Sequence, residues 1–127
     1  MKASELRIGN YFIGHQFNMP DSIFRVKWVG DKSISGESTE AKYGAGFIEG
    51  QFSGIPLTEE WLLKFGFRRH DECSFDLGDY TFKLNTFNLW DYCHDEEYLI
   101  AAGIKHVHSL QNLYFALTGE ELNIKEK

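Results

Sequence analysis

The chain has 127 residues, 43% hydrophobic and 25% charged, a size and balance that suit one globular domain (1–127) with its own core. Its formal net charge of −6 excludes the Lys and Arg surplus that non-specific nucleic-acid binding requires. No segment approaches the ~20 apolar residues of a membrane span, Met1 to Asn10 lacks an apolar signal stretch, and two cysteines are too few for a disulfide scaffold. The expectation is a cytoplasmic protein of a bacterial host cell, with free thiols and no membrane or nucleic-acid partner.

Aromatic residues make up 16% of the chain, which favours strands and large interfaces. Asn10–His15 reads as a first strand, and Pro20-Asp21 marks a turn. Ile23–Val29 alternates, with Phe24, Val26 and Trp28 on one face and Arg25 and Lys27 on the other. Residues 31–54 carry five glycines and read as a Gly-rich loop region, with Phe47-Ile48 and Phe52 as short strand candidates.

Leu57–Phe67 predicts a short helix: Thr58 caps it, Glu59 and Glu60 occupy its first turn, Gly66 ends it, and Trp61, Leu62 and Phe65 share a face. Cys73–Leu77 and Tyr80–Asn85 flank Gly78-Asp79, a hairpin signal that sets Phe75 opposite Phe82, Asp76 opposite Thr81 and Leu77 opposite Tyr80. Thr86–Tyr92 and Tyr98–Ile104 read as further strands. Val107, Leu110, Leu113, Tyr114 and Leu117 follow the helical template, and Gly119 closes it. The expected class is α+β: an antiparallel sheet of about five to seven strands with two short helices packed on one face.

Three segments carry a resemblance: LRIGNYF at 6–12, IPLTEEWLLKFGF at 55–67 and KHVHSLQNLYFALTGEEL at 105–122. Together they resemble a family of small, functionally uncharacterised phage and prophage proteins of Bacteroidota. The resemblance implies a mobile-element setting, in which small proteins act by binding. A non-enzymatic, counter-defence role would follow, by sequestering a nucleotide-like signalling molecule or by blocking a host protein. A structural or accessory phage component is an alternative.

The residues themselves offer two kinds of site. His70 and Cys73, with Cys93 and His94, supply metal-ligand types and suggest a metal- or thiol-dependent enzyme as an alternative, yet their spacing lacks the paired knuckles of zinc sites. No metal or other cofactor is expected. No nucleophile elbow, P-loop or dinucleotide fingerprint is present. A ligand site has better material: Arg25, Arg68 and Arg69 for an anion, His106 and His108 near the start of the last helix, and Trp28, Tyr43, Trp90 or Tyr92 for stacking. Self-association into a homo-oligomer is expected from the aromatic surplus.

Overall fold

The computed structural model describes residues 2–16, 20–40, 43–71, 74–77, 80–84, 90–94 and 98–124, leaving aside the side chains of 70, 71, 80, 84, 90, 92–94 and 98–102. After a 3₁₀ turn at Ala3–Glu5 come β1 (Tyr11–Gly14), β2 (Ser22–Val29), β3 (Ser33–Ser38), β4 (Gly44–Ile48) and β5 (Phe52–Ser53). Helix α1 (Glu59–Lys64) leads to β6 (Arg68–Asp71), β7 (Ser74–Leu77), β8 (Tyr80–Leu84), β9 (Trp90–His94) and β10 (Tyr98–Ile104), and α2 (Val107–Thr118) follows. The class is α+β. The strands do not lie in one sheet: they form two antiparallel sheets of five, ordered β4-β3-β2-β1-β5 and β10-β9-β8-β7-β6.

The division follows from α1, which separates two runs of consecutive pairing. In the second sheet the expected hairpin register holds: Phe75 pairs with Phe82, Asp76 with Thr81 and Leu77 with Tyr80. Thr81 Oγ1 donates to Asp76 Oδ1 at 3.0 Å on one face, while Phe75 and Phe82 are fully buried on the other. The turn residues Gly78 and Asp79 lie outside the described residues, as does part of the expected strand 86–92.

The Gly-rich region 31–54 is a correction. It is largely strand, because two of the first sheet's glycines sit where rings cross its inner face. A Cβ on Gly36 of β3 would stand 2.9 Å from the Phe12 ring and 2.9 Å from the carbonyl oxygen of Arg25. A Cβ on Gly14 of β1 would meet Phe47 at 2.6 Å. With those positions bare, the sheet curls around Phe12, Phe24, Phe47 and Phe52. Phe24 and Phe47 meet edge-to-face with centroids 4.9 Å apart, although β3 lies between their strands. Ala3 and Leu6 join this cluster.

The outer face of the same sheet belongs to a second core. Strand alternation sends Tyr11 and Ile13 outward, opposite to Phe12. There they meet Trp61 and Leu62 of the first helix with Phe65 at its C-cap, Val107 and Leu110 of the second, Phe67 just before β6, and Phe75, Phe82 and Ile104 of the other sheet. Both helices thus pack into one apolar layer. Helix α1 is shorter than Leu57–Phe67 but ends as its sequence indicates. Thr58 accepts the Trp61 N–H, Gly66 takes φ +94°, and the N–H groups of Gly66 and Phe67 return to the carbonyls of Leu63 and Leu62.

Helix α2 departs from the simple apolar stripe. Leu117 is 40% exposed, whereas Gln111 is fully buried. Gln111 accepts the Tyr11 N–H at 2.9 Å and donates to the carbonyls of Gly9 and Leu122, each at 3.0 Å. One amide thereby ties the start of β1, the last helix and the C-terminal segment together. Among the described residues, no helix is long and apolar enough to cross a membrane.

Candidate functional site

The outer face of the first sheet holds the polar groups that converge. On β2 it presents Arg25, opposite Glu37 of β3. Simple alternation would send Trp28 to the inner face with Phe24 and Val26. Instead the pairing skips Lys27: Val26 faces Gly36 and Trp28 faces Ser35. This bulge reverses the alternation, so Trp28 leaves the core and is 54% exposed. The expectation that Trp28 points away from Arg25 is corrected by that extra residue.

Two clefts line this face and share Ser38 as a wall. One, of about 280 Å³, runs along Tyr11, Arg25, Lys27, Glu37 and Asn123. Arg25 donates to Asn123 Oδ1 and lies over the Tyr11 ring, 5.6 Å from its centroid. Among the described residues no carboxylate lies within ion-pair distance of Arg25 or Lys27, and Glu37 lines the same cleft.

The other cleft, of about 330 Å³, has apolar walls from Ile13, Ile23 and Ile55. His15 and Asp21 stand at its rim, and Ser53 of β5, outside the lining, reaches His15. Ser53 pairs with Ile13, which sets its side chain diagonal to His15 on the same face. His15 Nδ1 is 2.9 Å from Asp21 Oδ1, and His15 Nε2 is 2.9 Å from Ser53 Oγ. In the neutral ring, because a carboxylate only accepts, Nδ1 carries the proton, Nε2 is the acceptor, and the Ser53 hydroxyl donates. Sequence reasoning missed this trio. The three residues belong to a strand end, a turn and the supposed loop, and only the β1–β5 pairing joins them.

The expected ligand residues fall at separate stations. Arg69 is paired with Glu59 at 2.8 Å and covers Phe75, with Arg68 beside it on an exposed strand. His106 and His108 stack with centroids 5.4 Å apart against Gly54, where a Cβ would come within 2.9 Å of His106 and 3.0 Å of His108. Tyr43 packs edge-on against Phe24 and donates to Gln16. The side chains of Trp90, Tyr92, His70, Cys93 and His94, and the whole of Cys73, lie outside the described residues. Among the described residues no three His, Cys, Asp or Glu side chains cluster as metal ligands.

His108 is buried rather than poised for an anion. Desolvation, and then the neighbouring His106, lower its pKa to about 4, and its Nδ1 is buried without a hydrogen-bond partner among the described residues. At neutral pH it is uncharged. In the unfolded chain His108 regains an ordinary pKa near 6.5, so between these values the unfolded state binds the extra proton. Stability is therefore full above about pH 6.5 and falls as pH drops toward about 4. The drop should be about 3 kcal/mol, measured by urea denaturation at several pH values, and His108→Phe should flatten it.

No protein-family model, curated protein or solved structure matches this chain.

Proposed function

We propose that the protein binds a small organic anion, of nucleotide-like chemistry, along the outer face of its first sheet. The observation that carries this reading is the adjoining pair of clefts, one lined by Arg25 and Lys27 with Glu37 as its carboxylate and the other apolar, sharing Ser38. Arg25 and Lys27 suit a phosphate or carboxylate, because a charge-assisted hydrogen bond is roughly twice as strong as a neutral one. Ile13, Ile23 and Ile55 suit an apolar or flat body, and each cleft lies near the lower size limit of ligand sites, about 300 Å³. The three sequence motifs that resemble phage proteins supply a setting for such binding, namely capture of a nucleotide-like signal.

Calorimetric titration with adenosine monophosphate, using inorganic phosphate for comparison, tests the reading. The nucleotide should bind more tightly than phosphate. Arg25→Ala should weaken it by about tenfold or more, the loss expected for one hydrogen bond to a charged group. A heat signal that Arg25→Ala and Lys27→Ala leave unchanged would remove these cations from the site.

A further inference from the structure

The geometry points to a second capability at the rim of the apolar cleft, where His15 and Asp21 stand: Ser53, which bonds to His15, is a nucleophile, with His15 as its base and Asp21 as the group that positions the base. The three side chains form one hydrogen-bonded chain, with both contacts at 2.9 Å. This is the reach over which a histidine activates a hydroxyl, and a third group orienting the base completes the arrangement. The tautomer that satisfies Asp21 is the one that leaves Nε2 free to take the Ser53 proton. No step needs a metal or cofactor.

The cleft identifies the substrate class. Its walls are Ile13, Ile23 and Ile55, its volume is about 330 Å³, and Asp21 and Glu40 at its edge disfavour an anionic acyl group. A neutral carboxylic ester or thioester with a short acyl chain fits. Ser53 Oγ would bond to the acyl carbon while its proton passes to His15 Nε2. The bond from that carbon to the leaving oxygen or sulfur would then break, and the leaving group would depart with the proton from His15. Water would attack the acyl-Ser53 ester, giving one proton to His15. Ser53 Oγ would recover that proton as the acid is released.

His15 and Asp21 are 39% and 61% exposed. Water therefore screens their coupling, and the expected reaction is slow acylation with measurable adduct rather than fast turnover. The test is intact-mass and peptide-mapping analysis of the full chain after exposure to 4-nitrophenyl butyrate and, separately, to an alkyl fluorophosphonate. The expected result is a single adduct on Ser53, absent in Ser53→Ala and formed at least about tenfold more slowly in His15→Gln. Asp21→Asn should slow labelling as well, because the ring loses the carboxylate that orients it, and Asp21→Glu should restore part of the rate. The proposal is overturned by an adduct elsewhere, by no adduct on Ser53, by equal labelling in His15→Gln, or by equal labelling in Asp21→Asn. Thermal melts of each variant separate these outcomes from unfolding, and labelling of Ser53→Cys by the same ester keeps the nucleophile position testable.

Discussion

Gln111→Leu should destabilise the protein by about 3 kcal/mol or more, although leucine is close to glutamine in size. The reason is what the amide leaves behind. Three backbone groups depend on it: the Tyr11 N–H, the Gly9 carbonyl and the Leu122 carbonyl. Gln111 itself is fully buried, and each buried group left unsatisfied costs ~1–3 kcal/mol. An apolar side chain fills the space yet satisfies none of them. Urea denaturation should show a lower midpoint with an unchanged slope, since the surface exposed on unfolding stays the same. Asn112 makes an instructive contrast. It contacts Arg7 and Asn10 on the half-buried side of the same helix, where water can replace a lost partner. Asn112→Ala should cost well under half as much.

Gln111 also shows where the sequence ceases to be legible. Periodicity finds α2 and its cap, because Val107, Leu110 and Gly119 obey local rules. It cannot place a buried glutamine, whose partners come from residues distant in the chain. The β7–β8 hairpin was readable to the residue, since a two-residue turn fixes register by itself. The long region 31–54 was not, for glycine has two opposite meanings. In a turn it supplies unusual φ, as Gly50 does at +96°; in a strand it makes room, as Gly36 does for Phe12. Local sequence does not distinguish them, and only the ring crossing from another strand decides.

The site repeats the lesson at finer scale. Arg25 was identifiable as an outward cation because alternation along β2 holds up to Val26. One extra residue then reverses Trp28, and no feature of the sequence marks that bulge. His15, Asp21 and Ser53 carried no signal as a group, because β5 is two residues long and its pairing with β1 is a tertiary event. The segments 6–12, 55–67 and 105–122 build helices and core. The cleft residues lie mostly between those segments.

The inner face of the first sheet yields the second large effect. Gly14→Ala should destabilise by about 1–3 kcal/mol, the range for forcing a methyl group into a filled core. A Cβ there would lie 2.6 Å from Phe47 Cζ and 2.7 Å from Phe24 Cδ2 and Cε2, closer than real side chains approach. Phe24 is fully buried and Phe47 nearly so, and interiors packed to crystal density have no slack to give. The cause is space rather than backbone conformation, which a double-mutant cycle can demonstrate. Phe47→Leu removes part of the obstructing ring, so Gly14→Ala should cost less in that background than in the native chain, with the two changes non-additive. Strictly additive costs would place the strain elsewhere. Gly14 also sits between Ile13 and His15, whose side chains face the apolar cleft. If β1 shifts outward to relieve the clash, it carries His15 away from Ser53, whose own strand β5 is held by Phe52 in the inner cluster. Gly14→Ala should therefore slow Ser53 labelling as well as lower stability, and Phe47→Leu should restore both together.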